Sequence, residues 1–97
     1  MDLGKKVKSD FTYKILKFFQ ENPQSIDTIN GIATWTGLSY EKTKETLEEL
    51  MQQEIVVEHR AATTRGYSYT QNKRIIGAVN EWIAKNAGEN SPHSRIY

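Results

Sequence analysis

Apolar residues recur at helical spacing in the first fifth of the chain. The set consists of Phe11, Ile15, Leu16, Phe18 and Phe19. This spacing is close to the i, i+4, i+7, i+8 stripe of an amphipathic helix. Ser9 or Asp10 can cap this helix, and Asn22-Pro23 ends it because the residue before a proline is disfavoured in the helical region. We therefore predict a first helix from about Asp10 to Asn22.

Two further helices are predicted on either side of a glycine. Asp27 is a good N-cap for a short second helix whose apolar face is formed by Ile29, Ile32 and Ala33. Gly37 ends that helix because glycine adopts the left-handed conformation that helix C-termini favour. Ser39 then caps a third helix that runs from Tyr40 to about Gln53. The buried side of this third helix is predicted to carry Thr43, Leu47, Leu50 and Met51.

The pattern changes to short β-branched and alternating segments after the third helix. Ile55-Val56-Val57 predicts a strand that extends to Ala62, and Tyr67-Ser68-Tyr69-Thr70 predicts the return strand. The segment from Thr63 to Gly66 is typical of a turn, with glycine supplying a positive φ. We expect a hairpin that lies against the helices, since an isolated two-stranded hairpin is only marginally stable.

A fourth helix is predicted from near Asn72 to residues 86–88. Its apolar positions are Ile75, Ile76, Val79, Trp82 and Ile83. This stripe is wider than a small three-helix core needs for cover, so it favours a dimer interface, with packing inside one chain as the alternative. We expect a fold of the α+β class, mainly α, with one domain over residues 10–88 between a basic flexible arm at 1–9 and a flexible tail at 89–97.

Charge is distributed unevenly although the net charge of the 97 residues is only +1. Residues 1–20 carry five lysines and two aspartates, and residues 59–74 carry four basic residues and no acid. Residues 39–54, which include the third helix, carry two lysines and five glutamates. Two basic zones therefore flank an acidic helix, a pattern that bears on binding partners and not on the fold.

Several function classes lack support in the sequence. There is no cysteine, and the two histidines, His59 and His93, are not spaced as metal ligands. No phosphate-binding loop, dinucleotide fingerprint or nucleophile motif is present, so we expect no enzyme, no metal and no cofactor. No apolar run is long enough to span a membrane, and residues 1–10 lack the apolar core of a secretory signal. We expect a cytoplasmic protein.

One extended motif resembles the winged helix-turn-helix family, in particular the bacterial and archaeal MarR/ArsR-like regulators. The motif reads Ile32-Ala33-x3-Gly37-Leu38-Ser39-x3-Thr43-x3-Leu47-x2-Leu50-x4-Ile55-Val56. A small residue at Ala33 lets the third helix cross closely, and Gly37 permits the tight turn between two steeply crossing helices. Tyr69-Thr70 is similar to the end of the family's hairpin. The family often has valine or isoleucine in place of Thr43 and usually glycine in place of Glu54.

The resemblance implies that the third helix enters the major groove of double-stranded DNA, with base contacts near its N-terminus. The implied DNA-binding residues of this helix are Ser39, Tyr40, Glu41, Lys42 and Lys44, with Glu45 as a further candidate. Arg65 at the hairpin tip and Arg60 on its flank would contact the backbone or minor groove. Lys5, Lys6 and Lys8 would act as a basic arm.

The interpretation that we favour is a DNA-binding transcriptional regulator that acts as a homodimer. A winged-helix protein-interaction module is the alternative, because the five glutamates of residues 39–54 repel phosphates. A third alternative is an adaptor that contacts nucleic acid through the hairpin and arm alone. The lysines of the third helix also fit a solvated face on which they pair with glutamates. Trp35 either closes the edge of the core over Phe11 or the hairpin, or contacts a partner.

Overall fold

Residues 9–90 are described by a computed structural model, which has four helices and a two-stranded antiparallel sheet. The elements are α1 (Ser9–Glu21), α2 (Ile29–Thr36), α3 (Tyr40–Gln52), β1 (Val56–Arg60), β2 (Arg65–Tyr69) and α4 (Lys73–Asn90). The predicted order of three helices, a hairpin and a fourth helix is confirmed. Helix α4 continues two residues beyond the predicted domain limit at residue 88. Lys5, Lys6 and Lys8 lie outside the described residues, as do residues 91–97.

The caps of α2 and α3 explain where these helices begin. Ser39 is the N-cap of α3, as predicted, and its hydroxyl accepts a hydrogen bond from the Lys42 amide at 3.1 Å. The prediction for α2 was wrong by one residue, since Thr28 and not Asp27 is its N-cap. The backbone of Asp27 instead exchanges two hydrogen bonds with Tyr67, at 3.0 and 2.8 Å. Asp27 is therefore held as a short extension of the sheet, and the helix starts after it.

The core lies around α1, which packs against α2, α3, α4 and β2. The predicted stripe on α1 is largely confirmed, because Ile15, Leu16, Phe18 and Phe19 are buried while Phe11 is only half-buried. The Phe19 ring stacks on Tyr69 with 6.0 Å between centroids, which joins α1 to the hairpin. Helix α4 packs against α1. Val79 and Ile83 are buried on the face of α4 that makes this contact.

The hairpin pairs Val56 with Tyr69 at its base and Arg60 with Arg65 at its tip. Its loop comprises residues 61–64 and is closed by a hydrogen bond from the Ala61 amide to the Thr64 carbonyl at 2.9 Å. Gly66 was predicted to supply a positive φ in the turn, and this prediction was wrong. Gly66 lies within β2, and the only residues of 9–90 with positive φ are Gly37 and Glu54.

Two departures from the family's usual residues are accommodated locally. Thr43 is fully buried, and its hydroxyl donates to the Ser39 carbonyl at 2.8 Å, so the polar atom is satisfied within α3. Glu54 has a φ of 65° just after α3, in the left-handed region where glycine is preferred. Gly37 has a φ of 79° at the C-cap of α2, as predicted. The turn between α2 and α3 is therefore built as the sequence indicated.

Candidate nucleic-acid interface

Helix α3 turns a carboxylate-rich face away from the core. Its buried positions are Thr43, Thr46, Leu47 and Leu50. Helical periodicity places the opposite face at Glu41, Glu45, Glu48 and Gln52, all of which are exposed. The resemblance assigns this helix to the major groove. Its outermost line consists of three glutamates and a glutamine. Such a face is repelled by phosphates and favours a supporting role for α3 in overall DNA affinity.

Both lysines of α3 are engaged in ion pairs along the helix. Lys44 Nζ lies 3.0 Å from Glu48 Oε2, and this hydrogen bond together with the Glu48 charge raises the pKa of Lys44. Lys42 Nζ lies 3.9 Å from Glu45 Oε1 and 5.4 Å from the centroid of the Phe11 ring. These are the i,i+3 and i,i+4 lysine–glutamate pairs that are expected if this side of α3 is simply a solvated face. Exposed pairs of this kind are weak, so a phosphate can replace the glutamate partner.

The N-terminus of α3 presents a polar and aromatic surface. Tyr40 is 47% exposed at the first position of the helix. Glu41 follows in the same first turn and is also exposed. The Ser39 hydroxyl is occupied by the Lys42 amide, so Ser39 acts first as a cap. Tyr40 is therefore an aromatic side chain that this turn leaves accessible to a ligand.

The hairpin tip holds two arginines opposite each other. Arg60 and Arg65 are paired in the β1–β2 register, and their side chains are 68% and 59% exposed. Both contact Glu58, with Arg60 Nε 3.3 Å from Oε1 and Arg65 Nε 3.8 Å from Oε2. The Tyr67 hydroxyl donates to Glu58 Oε2 at 3.3 Å. Burial raises the pKa of Tyr67, and the adjacent Glu58 charge raises it further.

An open cleft of about 790 Å³ separates α3 from the hairpin. One wall carries Tyr40 and Lys44, and the other carries Arg60 and Arg65. The structure therefore brings these four predicted DNA-binding residues to a single concave surface. Ser39, Glu41 and Lys42 do not line the cleft.

Sequence reasoning missed residues that complete this cleft. Glu58 lines it together with Thr28 and Asn30 at the start of α2. The alternation of side chains along a strand places residues 58 and 60 on the same face of β1, so the Glu58–Arg60 contact was accessible from the sequence. The contact with Arg65 depends on the hairpin register. The position of α2 beside the hairpin depends on the Asp27–Tyr67 bridge, for which the sequence carries no signal.

The apolar stripe of α4 is shared between the core and the surface. Val79 and Ile83 are buried in the core of the chain. Ile75, Ile76 and Trp82 are only partly buried against that core. The Trp82 ring is tilted against Tyr13, with 6.4 Å between centroids. Of the five predicted interface residues, the three partly buried ones retain surface for a second copy of the chain.

The structure also shows the surroundings of Trp35 and His59. Trp35 is 52% exposed and lies edge-on against Phe18, with 5.1 Å between ring centroids. His59 is exposed on the outer face of the hairpin, where Nε2 lies 2.8 Å from Ser68 Oγ.

Within residues 9–90, no group of three or more potential ligand side chains is arranged to hold a metal ion. No helix in that range is long and apolar enough to cross a membrane.

Comparison with known proteins relates the chain to solved winged-helix structures. No protein-family profile matches the sequence, and no curated protein sequence matches it. Mb0332 of Mycobacterium bovis, a homodimeric winged helix-turn-helix DNA-binding domain described as a possible ArsR-family regulator, is 22% identical with a TM-score of 0.62. The match covers 94% of this chain and 82% of that one.

Two larger proteins show the same fold at lower identity. ZitR of Lactococcus lactis is 17% identical with a TM-score of 0.58, over 86% of this chain and 57% of that one. A MarR family protein from Bacillus stearothermophilus is 15% identical with a TM-score of 0.58, over 80% of this chain and 55% of that one. The chain therefore spans little more than half the length of these two proteins. These likenesses, with the observed element order, establish a winged helix-turn-helix fold.

Proposed function

We propose that this chain is the DNA-binding domain of a transcriptional regulator. The observation that carries the proposal is the single concave surface on which Arg60 and Arg65 face the exposed N-terminus of α3. In a winged helix, this is the arrangement in which a helix enters the major groove while a hairpin flanks it. The Mycobacterium bovis neighbour is described as a DNA-binding domain and a possible ArsR-family transcriptional regulator, which supports the same function.

The two walls of the cleft have different roles in this proposal. Arg60 and Arg65 supply attraction to the phosphate backbone or the minor groove, and the arm residues Lys5, Lys6 and Lys8 add to it. The N-terminal turn of α3 supplies contacts to base edges, with Tyr40 and Lys44 on the side of the cleft. Glu41 or Glu45 accepts from cytosine amino groups, the base contact that suits a carboxylate.

A homodimer completes the proposed regulator. Two copies joined through α4 would present two helices and two hairpins to a pseudo-palindromic site. The partly buried Ile75, Ile76 and Trp82 are the surface available for this contact, since Val79 and Ile83 are already covered within the chain. The homodimeric description of the Mycobacterium bovis domain supports this assembly. A cytoplasmic location belongs to the same proposal.

Fluorescence anisotropy with labelled mixed-sequence duplexes tests the function. Wild-type protein should bind, and its affinity should fall steeply between about 50 and 200 mM salt because bound cations are released from DNA. The Arg60→Ala/Arg65→Ala variant should bind more weakly, with a salt slope shallower by about 0.9 for each phosphate that the protein no longer neutralises. The matched control Arg74→Ala/Lys85→Ala removes two exposed charges from α4 and should resemble wild type.

A second candidate function rests on the outer face of α3. Glu41, Glu45 and Glu48 line this face, and it suits a protein partner with a basic surface better than it suits DNA. If wild-type protein fails to bind duplexes even at the lower salt concentration, the DNA-binding proposal is wrong and the protein-interaction module is favoured. If both double variants weaken binding equally, the hairpin is not the DNA-contacting surface.

A further inference from the structure

Glu58 is the common partner of three side chains at the hairpin. Arg60 Nε, Arg65 Nε and the Tyr67 hydroxyl lie 3.3, 3.8 and 3.3 Å from its carboxylate oxygens. Its position on β1 places it opposite Tyr67 and two residues before Arg60, on the cleft side of the hairpin. The two cations that the proposed function assigns to DNA phosphates are therefore both in contact with one carboxylate of the same chain.

The exposures of these side chains are unequal. The Glu58 side chain is only 19% exposed, whereas those of Arg60 and Arg65 are 68% and 59% exposed. Glu58 is held by its position on the strand and by the Tyr67 hydroxyl, which is attached to the buried Tyr67 ring. The arginines extend into solvent, where an incoming phosphate can reach them. The Glu58 carboxylate stays in place. A phosphate that binds either arginine must therefore displace the guanidinium from Glu58 or share it with Glu58.

We propose that Glu58 acts as an internal competitor of DNA phosphates for Arg60 and Arg65, and so sets how strongly the hairpin binds DNA. This inference rests on the proposed function. The carboxylate neutralises part of the charge of the arginine pair and repels a phosphate at the same position. Loss of the Glu58 charge should strengthen binding, which is the opposite of what a direct DNA-contacting or purely structural residue would show.

Glu58→Gln is the informative variant because the amide is nearly isosteric and its oxygen can still accept from the Tyr67 hydroxyl. Glu81→Gln is the matched control, since it removes one exposed carboxylate from α4 and changes the net charge equally. Circular dichroism and urea unfolding should show that both variants fold as wild type. Binding to the same labelled duplex is then measured by anisotropy across a series of salt concentrations.

Glu58→Gln should bind DNA roughly fivefold more tightly at low salt, a factor in the range of one exposed ion pair. Its salt slope should steepen by about 0.9 for each additional phosphate that an arginine neutralises. Glu81→Gln should change neither quantity appreciably. The inference is overturned if Glu58→Gln binds no more tightly than Glu81→Gln, or if its salt slope equals that of wild type.

A measurement without DNA separates this inference from the proposed function. The Nε–H protons of Arg60 and Arg65 should exchange with water more slowly in wild type than in Glu58→Gln, as observed by nitrogen-15 NMR. If neither protein binds duplexes but this difference is present, the DNA-binding function fails while the Glu58 contact stands. If the exchange rates are equal in the two proteins, Glu58 does not hold the arginines and the inference fails whatever the DNA result.

Discussion

A Cβ atom added to Gly66 would lie 2.6 Å from Cγ2 of Ile26. Ile26 precedes the Asp27–Tyr67 bridge, and its side chain lies over the β2 backbone while remaining 58% exposed. Glycine is therefore required at this position by a close approach of another segment, and not by the left-handed conformation that the turn motif indicated. This contact attaches the start of α2 to the hairpin and so helps to shape the cleft.

Gly66→Ala should lower the free energy of unfolding by about 1–2 kcal/mol, because the new methyl group overlaps Ile26. In an Ile26→Ala background the same substitution should cost much less, since the overlapping atom is gone. Urea unfolding of the four proteins of this double-mutant cycle measures the coupling. Equal destabilisation by Gly66→Ala in both backgrounds would show that the two residues do not meet as described.

Glu54→Gly should stabilise the chain by about 0.5–1 kcal/mol, because the left-handed backbone at a φ of 65° favours glycine over any residue with a Cβ. Gln52→Gly is the matched control, since position 52 is exposed and lies within α3. Because position 52 is the last residue of α3, this substitution should destabilise the chain by less than the roughly 1 kcal/mol that glycine costs in a helix interior. Urea unfolding midpoints distinguish the outcomes, and a destabilised Glu54→Gly would show that position 54 is not strained.

Tyr69→Phe should raise the free energy of unfolding near neutral pH by about 1 kcal/mol. The Tyr69 hydroxyl is buried and has no hydrogen-bond partner within residues 9–90, so its removal relieves a desolvation cost. Tyr67→Phe is the control, since it removes the hydrogen bond to Glu58 and should not increase stability. A destabilised Tyr69→Phe would show that its hydroxyl is satisfied.

The same substitution should alter the pH dependence of stability. Burial raises the pKa of Tyr69 above its usual value of 10.0, so the folded chain holds the phenol proton more tightly than the unfolded chain. This stabilising contribution is fully present below the unfolded pKa and is lost as the pH rises toward the raised folded pKa. Unfolding measured from neutral to alkaline pH should therefore show a smaller alkaline decrease in stability for Tyr69→Phe than for wild type. An equal alkaline decrease in stability for wild type and Tyr69→Phe would contradict a raised pKa of Tyr69 in the folded chain.

Ala78→Glu should convert the proposed dimer into a monomer. Ala78 is exposed and lies three residues after Ile75 and four before Trp82, so a carboxylate there faces the partly buried stripe. Ala84→Glu is the control, because it introduces the same charge at an exposed position one turn after Asn80, on the other side of α4. Light scattering coupled to size-exclusion chromatography gives the masses. A monomeric wild type, or a dimeric Ala78→Glu, would reject an α4 interface.

Most of the fold could be predicted because local rules and burial agree in this sequence. Ser39 caps α3, Gly37 ends α2, and the buried α1 positions follow the helical period. The errors arose where distant segments meet. The Asp27–Tyr67 bridge moved the start of α2, and the approach of Ile26 accompanies the placement of Gly66 in a strand. Neither contact leaves a local signal, since each depends on residues about 40 positions apart.

The candidate site was only partly predictable for a related reason. Tyr40, Lys44 and Arg65 were identified from residue type and family resemblance. Their partners depend on side-chain geometry, which residue type does not determine. The Glu48 contact with Lys44 follows from helical spacing, whereas the contact of Glu58 with Arg65 requires the hairpin register. The charge available to a ligand is therefore smaller than a count of basic residues indicates.

DNA binding through the cleft can be observed residue by residue in an NMR titration of the nitrogen-15-labelled chain with a short mixed-sequence duplex at low salt. We expect amide shift changes at the N-terminal turn of α3, around Tyr40 and Lys44, and along the hairpin from Arg60 to Arg65. The exposed face of α4 around Lys85 should remain unchanged apart from residues at the dimer contact. Shift changes confined to other surfaces, or none at duplex excess, would contradict DNA binding through this cleft.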